Sequence, residues 1–180
     1  MRHTDPKGEL QNNIYLIGFM GSGKSTVSAC LHREYGMVQL EMDRQIEEEE
    51  GMRIPEIFAQ RGEEYFRNLE TGLLRKLQEQ KNMVVSCGGG TAMRECNVLE
   101  MKKNGKIVLL LASPETIYER VKNFHNRPLL EGNMNVDYIS GLMEVRRPKY
   151  EAAADISVMT DGRSATEICR EIVGKLSEKR

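Results

Sequence analysis

Residues 18–26 read GFMGSGKST, and the apolar run IYLI at 14–17 comes directly before them. The stretch fits the pattern GxxxxGK[ST], typical of loops whose backbone N–H groups surround phosphate groups, through Gly18, Gly23, Lys24 and Ser25. The context agrees, because the apolar run predicts a strand and KSTVSACLHREY, beginning at Lys24, predicts a helix. The stretch therefore predicts a phosphate-binding loop between the first strand and the first helix.

Each residue type in this loop suits phosphate binding. Glycines let backbone N–H groups turn inward, and the start of the helix adds a partial positive charge at the same point. Lys24 would reach the β- and γ-phosphates of a nucleotide, and Ser25 would supply a ligand to Mg²⁺. We therefore expect the nucleotide to be bound by Gly21, Ser22, Gly23, Lys24, Ser25 and Thr26.

Length and charge limit the other possibilities. The 180 residues are enough for one well-buried domain, so we expect a single domain over 1–180. With 26 basic and 27 acidic residues the formal charge is -1, which predicts no nucleic-acid or membrane partner. The first thirteen residues, MRHTDPKGELQNN, lack the apolar core of a signal peptide, and no run is long enough to span a membrane. We therefore expect a cytoplasmic protein, with a monomer as the default state.

The cysteines and histidines predict no transition-metal site. Cys30, Cys87, Cys96 and Cys169 form no CxxC pair, which indicates neither a zinc site nor a disulfide framework. Buried thiols are the expected state of all four. The three histidines have no ligand-like spacing either, so any metal would be held by oxygen atoms.

Apolar and β-branched runs recur between segments of helical period. Five such runs predict strands: NIYLIGF at 13–19, MVQLEM at 37–42, MVVSC at 83–87, KIVLLLA at 106–112 and DISVMT at 155–160. Alternation with helices predicts an α/β fold with a parallel sheet covered on both faces. Residues 44–80 are more than one crossover helix needs, and 122–135 lack periodicity, so both are expected to cover a binding site as an insertion and a lid.

Missing motifs and the short chain exclude some classes of nucleotide-using protein. A switch GTPase would carry NKxD, which is absent, and the only DxxG, at 5–8, precedes the phosphate-binding loop. A large motor would need more chain. A small-molecule kinase is the function that remains most consistent with the sequence.

Two acidic residues follow the second predicted strand. Glu41 and Asp43 lie two positions apart and would point to the same side of an extended chain. The carboxyl ends of parallel strands form the ligand crevice, so both are expected to face the phosphates. One could help hold Mg²⁺ through water while the other accepts a proton from an attacking hydroxyl. The alternative is a pair of solvated loop acids.

Two further features suggest a site for an acidic substrate. Arg67 and Glu70 are spaced i, i+3 on a predicted helix, where Glu70 could orient the guanidinium toward a carboxylate. The alternative is an ordinary surface ion pair. Gly88, Gly89 and Gly90 follow the third strand and would allow a ligand to approach the backbone, although a plain flexible turn fits the same residues.

The order of these motifs resembles the shikimate kinase family. After GxxxxGKST come EMD at 41–43, where the family has DxD, IPEIF at 54–58, GEEYFRNLE at 62–70, GGG at 88–90, RPLL at 127–130 and RRPKY at 146–150. The resemblance runs from Ile14 to about Arg163. It implies a three-layer P-loop kinase fold, with a five-stranded parallel sheet in order 2-3-1-4-5 and helices on both faces. It also implies phosphorylation of the 3-hydroxyl of shikimate by ATP with Mg²⁺.

The resemblance also implies roles for single residues. Lys24, Asp43 as the base, and Arg127 as a lid arginine would be catalytic, while Ser25 and Glu41 would hold the metal, Glu41 through water. Arg120 would stack on adenine, and Arg163 lies in the loop that completes the adenine pocket. The family pattern is Arg-x-Pro-x-Tyr, in which Pro148 and Tyr150 match the proline and the tyrosine. The arginine of the pattern is therefore Arg146 rather than Arg147. The implied shikimate site comprises Asp43, Phe58, Phe66, Arg67, Gly88, Gly89, Gly90 and Arg146.

Two departures from the family pattern stand out. Glu41 occupies the place of the first aspartate of DxD, and its extra methylene changes how the carboxylate reaches a metal. Ala165 stands where a proline is expected in the adenine loop, whereas Ser86 agrees with the family. A kinase for gluconate or another hydroxylated acid, and a catalytically silent ATP-binding module, are the competing interpretations.

Overall fold

A computed structural model describes residues 12–123 and 134–178 of the chain. Five parallel strands form one sheet in the order β2-β3-β1-β4-β5, which confirms the order implied by the resemblance. The strands are β1 Asn13–Ile17, β2 Val38–Glu41, β3 Met83–Ser86, β4 Gly105–Leu111 and β5 Ile156–Met159. The helices are α1 Lys24–Tyr35, α2 Met42–Glu50, α3 Ile54–Lys76, α4 Glu95–Asn104, α5 Pro114–Val121, α6 Val136–Ala153 and α7 Ala165–Glu178.

Alternate residues of the strands face two separate hydrophobic layers. Ile14 and Leu16 of β1 pack with residues of α1 and α7 on one face of the sheet. Tyr15 and Ile17 pack with residues of α3, α4 and α6 on the other. Because successive side chains of a strand point to opposite faces, a sheet covered on both sides needs strands that are apolar throughout. All five residues of β1 are buried, as this requires.

The helix boundaries follow from local chemistry. Gly36 ends α1 with φ 69°, and its N–H donates to the His32 carbonyl oxygen. Ser113 begins α5, where its hydroxyl accepts from the Thr116 N–H. Ser164 and Glu167 form a capping box at the start of α7, since each side chain accepts from the other's backbone N–H. The starts of α5 and α7 position the loops that follow β4 and β5 at the carboxyl edge of the sheet, while Gly36 leads into β2 at the amino edge.

The insertion predicted at 44–80 consists mainly of α2 and α3. At Gly62 the backbone of α3 has φ 83° and ψ 168°, which interrupts the regular helix. Only glycine adopts such angles without strain, so Gly62 marks a kink in α3. After the kink, the second half of α3 packs against α4 and β3 and brings Arg67 toward the carboxyl end of the sheet.

The thiols differ from the expectation in one position. Cys30, Cys87 and Cys169 are buried and free, as predicted, but Cys96 is exposed. Cys96 lies in the first turn of α4, on a side that faces away from the sheet. Within 12–123 and 134–178, no helix has the length and apolar content that a membrane span requires.

Candidate active site

A cavity of about 920 Å³ opens at the carboxyl ends of β1, β2 and β3. The phosphate-binding loop forms its floor, and the ends of β2 and β3 form one wall. Among the residues predicted to bind ligands, those that line this cavity are Gly21, Ser22, Gly23, Lys24, Ser25, Thr26, Glu41, Asp43, Gly88, Gly89, Arg120 and Arg163. The structure therefore brings the loop and both predicted acids to one space.

The phosphate-binding loop has the backbone geometry of an anion cradle. Gly18, Gly21 and Gly23 have φ of 143°, 76° and 99°. A Cβ at Gly18 would lie 2.6 Å from the Leu110 carbonyl oxygen, so the first glycine is required by close approach to β4 as well as by its backbone angle. Lys24 Nζ reaches back over the loop and donates to the carbonyl oxygens of Gly18 at 2.9 Å and Phe19 at 3.0 Å.

The two predicted metal-binding residues, Ser25 and Glu41, lie side by side in the structure. Ser25 Oγ donates to Glu41 Oε2 at 2.8 Å. Ser25 comes from the first turn of α1, and Glu41 is the last residue of β2. In the described part of the chain, no group of three or more His, Cys, Asp or Glu side chains forms a metal cage. A hydroxyl next to a carboxylate suits Mg²⁺, which keeps several waters and binds few protein oxygens.

The predicted geometry of Glu41 and Asp43 is wrong in one respect. The two residues do not lie on one extended chain, because β2 ends at Glu41 and Asp43 is in the first turn of α2. Both carboxylates still line the cavity, since the chain turns into the helix as it leaves the sheet. Asp43 is consequently held by a helix rather than by a flexible strand end.

Asp43 has an unusual proton affinity. Its side chain is accessible to solvent through the cavity, but protein surrounds the carboxyl closely on the other sides. This burial raises the pKa of Asp43 to about 6, and the negative charge of Glu70 adds to the rise, while Lys24 opposes it. An acid that is ionised at neutral pH but has a raised pKa is suited to accept a proton.

The three glycines after β3 form the meeting point of the predicted substrate residues. A Cβ at Gly88 would lie 2.8 Å from Asp43 Oδ1, and a Cβ at Gly90 would collide with the guanidinium of Arg67. Arg146 Nη1 lies next to Gly89, whose carbonyl oxygen it reaches at 3.4 Å. Residues from α2, α3 and α6 therefore converge on one short turn.

Glu70 fixes the position of Arg67. Arg67 Nη1 donates to Glu70 Oε2 at 2.9 Å, and the Glu70 side chain is completely buried. The other oxygen of Glu70 accepts from Thr91 Oγ1 at 2.6 Å. A buried carboxylate with two such partners is fixed in position, so this pair differs from the surface ion pair that was the alternative.

Several contacts that support the site were not predicted from the sequence. Tyr150 Oη donates to the Gly89 carbonyl oxygen at 2.5 Å, although the sequence uses Tyr150 only to set a register. Asn97 is buried and links Thr91 to Thr71, accepting from Thr71 Oγ1 at 2.6 Å. No local pattern reveals these contacts, because the partners are far apart in the chain.

The aromatic pair predicted for the substrate wall is partly in the hydrophobic core. The rings of Phe58 and Phe66 have their centroids 5.0 Å apart. Phe66 is buried in the core next to α4, and Phe58 packs against it from a less buried position. The guanidinium carbon of Arg67 lies 5.4 Å from the centroid of the Phe66 ring.

The arginines predicted for the nucleotide base lie at the far end of the cavity. Arg120 Nη1 donates to the Gly21 carbonyl oxygen at 3.0 Å and to Thr160 Oγ1 at 3.1 Å. Arg163 pairs with Glu171 at 2.5 Å. Ala165, in place of the expected proline, also lines this end. The lid arginine Arg127, and most of the lid predicted at 122–135, lie outside the described residues.

Comparisons with known proteins identify the family of this chain. The family model described as "Shikimate kinase" matches residues 20–177. A shikimate kinase from Persephonella marina is 44% identical over 164 residues, which cover 91% of this chain and 98% of the relative. One from Dehalococcoides mccartyi is 42% identical, over 94% of this chain and 96% of the relative. The solved shikimate kinase from Acinetobacter baumannii in complex with shikimate has a TM-score of 0.87 and 32% identity, covering 94% of this chain and 95% of that one.

Proposed function

The chain belongs to the shikimate kinase family, and from this premise we propose how its residues carry out the reaction. The chain is an enzyme that phosphorylates shikimate with ATP. The oxygen of the 3-hydroxyl forms a bond to the γ-phosphorus, the bond from that phosphorus to the β–γ bridging oxygen breaks, and ADP leaves. The hydroxyl proton is taken by a base on the protein.

The phosphate-binding loop would hold ATP in position for this transfer. Backbone N–H groups of residues 21–26 would bind the phosphates, and Lys24 would exchange its carbonyl partners Gly18 and Phe19 for phosphate oxygens. When bound with ATP, Mg²⁺ would neutralise part of the phosphate charge. Ser25 would contact the metal directly and Glu41 through a water, which the 2.8 Å contact between these side chains supports.

Asp43 would act as the general base. Its carboxyl lies at the end of the cavity where the three glycines meet the phosphate-binding loop. A pKa of about 6 makes the carboxylate the main form at neutral pH and leaves it basic enough to take the hydroxyl proton. Its position in the first turn of α2 would also orient it toward the ring hydroxyls.

The substrate carboxylate would be bound by Arg67 and Arg146. Both guanidinium groups contact the turn at Gly88–Gly90, and Glu70 restricts Arg67 to one orientation. Charge-assisted hydrogen bonds of this type contribute roughly 1.5–3 kcal/mol each, so two arginines could dominate the selection of an acidic substrate. Phe58 and Phe66 would supply the apolar wall, within an insertion over residues 44–80.

The remaining roles concern the nucleotide base and the lid. Arg120 and Arg163 would contact adenine at the end of the cavity formed by the loop after β5. Arg127, from a lid over residues 122–135, would stabilise the charge on the transferring phosphoryl group. An arginine in this role contributes about 10³- to 10⁵-fold to the rate in other phosphoryl-transfer enzymes.

One observation carries the proposal for the site. Asp43, Arg67 and Arg146 come from three different helices, and their charged groups lie beside Gly88, Gly90 and Gly89 in the turn that follows β3. A carboxylate at one side and two cations at the other match a small ring that carries hydroxyls and one carboxylate.

A coupled assay of ADP release with ATP, Mg²⁺ and shikimate tests the function. We expect turnover that depends on shikimate, and folded protein without turnover would refute the proposal. Gluconate added as a competitor tests the rival acid and should leave the shikimate rate unchanged. ATP binding without a phosphorylated product would instead support the catalytically silent module.

A further inference from the structure

Glu41 is held from three sides by neutral side chains. Ser25 Oγ donates to Oε2 at 2.8 Å, while Ser28 Oγ and Gln39 Nε2 both donate to Oε1, at 3.3 Å and 3.2 Å. The two oxygens of the carboxylate are therefore bound from opposite sides. Neutral donors orient the carboxylate without cancelling the negative charge that a cation needs.

The spacing of these residues explains why they meet. Ser25 and Ser28 are three positions apart on α1 and so share one face of that helix. Gln39 and Glu41 are two positions apart on β2 and point to the same side of the strand. Helix α1 packs beside β2, which puts the two serines against the two strand residues. Ser28 is completely buried, and Gln39 lines the cavity.

These hydrogen bonds restrict a side chain that is longer than the aspartate of the family pattern. A glutamate has one more rotatable bond than the aspartate that the family pattern has at this position. Without further contacts its carboxylate would sample several positions relative to Ser25. Holding Oε1 with two donors leaves Oε2 directed at Ser25, so the reach of the longer side chain is restricted to one place.

We propose that Gln39 and Ser28 are positioning residues that hold Glu41 at the Mg²⁺ site of the ATP complex. The inference rests on the proposed role of Glu41 in metal binding. Residues that hold metal ligands by hydrogen bonds typically change metal affinity about 10- to 100-fold when they are removed. Because Glu41 is expected to act through a water, the lower end of this range applies.

The test measures the metal dependence of nucleotide binding, which needs no turnover. ADP affinity is measured by calorimetry with and without Mg²⁺, and the ratio of the two affinities is the readout. In Gln39→Met, which keeps the length but loses the donor, we expect the ratio to fall about tenfold. Ser28→Ala should lower the ratio in the same direction. ADP affinity without Mg²⁺ should stay at the wild-type value in both variants, which a merely structural defect would not allow.

The chain offers a matched control. Gln45 Nε2 donates to Glu49 Oε1 at 3.0 Å on the exposed side of α2, which is the same kind of contact away from the cavity. Gln45→Met should leave the Mg²⁺ ratio unchanged. Combining Gln39→Met with Glu41→Asp gives a second check. If Gln39 acts by holding the longer side chain of Glu41, adding Gln39→Met to Glu41→Asp should have no further effect on the ratio.

The outcomes separate this inference from the proposed metal site. If Glu41→Gln leaves the Mg²⁺ ratio unchanged, the metal role of Glu41 is wrong and the inference falls with it. If Glu41→Gln lowers the ratio while Gln39→Met and Ser28→Ala keep it, the metal site stands and the positioning role is wrong. Equal loss of ADP affinity with and without Mg²⁺ in Gln39→Met also overturns the positioning role.

Discussion

The two parts of the candidate site are built in different ways. The proposed nucleotide side centres on one continuous loop over residues 18–26, and the backbone angles of its glycines fix the shape of that loop. The acceptor side assembles Asp43, Arg67 and Arg146 from three helices at the turn after β3. A continuous loop depends on its own turn geometry, whereas the acceptor side depends on contacts between distant segments. We therefore expect changes on the acceptor side to spare nucleotide binding.

The largest expected effect is that of Asp43→Asn. Loss of a general base costs about 10²- to 10⁴-fold in rate, so kcat should fall within that range. ADP affinity should change far less than kcat, because the proposed phosphate contacts are mainly backbone N–H groups. Steady-state kinetics and calorimetry measure the two quantities.

A matched control for Asp43→Asn is Asp137→Asn. Asp137 and Asp43 occupy the same place in their helices, the first turn of α6 and the first turn of α2. Asp137 is exposed and lies outside the cavity lining. The control should keep the wild-type kcat. A kcat near the wild-type value in Asp43→Asn would show that the base lies elsewhere and would remove one member from the acceptor side.

A second prediction concerns the contact between Gly90 and Arg67. The backbone angles of Gly90 suit any residue, but a Cβ there would collide with the guanidinium. Gly90→Ala should displace Arg67 and raise the KM for shikimate about 10- to 100-fold, the value of one charge-assisted hydrogen bond. ADP affinity should not change.

Gly174→Ala serves as the control for this variant, since a Cβ at Gly174 meets nothing within 4 Å. It should leave both KM and ADP affinity at their wild-type values. If Gly90→Ala weakens ADP binding as much as shikimate binding, the nucleotide side and the acceptor side are coupled, and their expected independence is wrong.

The same contrast explains what the sequence could predict. The phosphate-binding loop was predictable because its motif occupies nine consecutive residues between a strand and a helix, so its spacing can be read directly in the sequence. The strand order followed from the family resemblance and is confirmed. The extended geometry of Glu41 and Asp43 was wrong, because the apolar pattern does not show that β2 ends at Glu41 and α2 begins at Met42.

The acceptor side was predictable only as a set of residues. The pairing of Arg67 with Glu70 follows from helical spacing, but the burial of Glu70 does not. Tyr150 contacts Gly89 from 61 positions away, and Thr91 contacts Glu70 across 21 positions. Contacts at such separations depend on how helices pack on the sheet, which no local pattern encodes.

A third prediction uses the raised pKa of Asp43. The base must be ionised to accept a proton, so kcat/KM for shikimate should fall about tenfold for each pH unit below about 6 and level off above it. The groups that face this carboxyl are Lys24, Glu47, Arg67, Glu70 and Cys87. Glu70 helps to raise the pKa, so Glu70→Gln should move the inflection to lower pH. An inflection that does not move would show that Glu70 acts on Arg67 alone.

The smallest expected effect is on stability. In the unfolded chain Asp43 titrates near its ordinary value of 3.8, while in the folded protein its pKa is about 6. Protonation therefore favours the folded state at low pH, and this contribution is lost as the pH rises through about 6. At pH 7 the ionised carboxylate costs stability, which asparagine avoids.

Asp43→Asn should consequently unfold at a higher temperature than the wild type at neutral pH, and the difference should vanish near pH 4, measured by thermal melts without ligand. Solvent in the cavity screens the carboxylate, so we expect a shift of only about 2–4 °C, equivalent to roughly 1 kcal/mol for a chain of this size. A variant that is less stable at pH 7 would mean that the carboxylate is satisfied by its neighbours in the folded state. Asp43 would then be part of the rigid framework of the acceptor side rather than a strained group kept for catalysis.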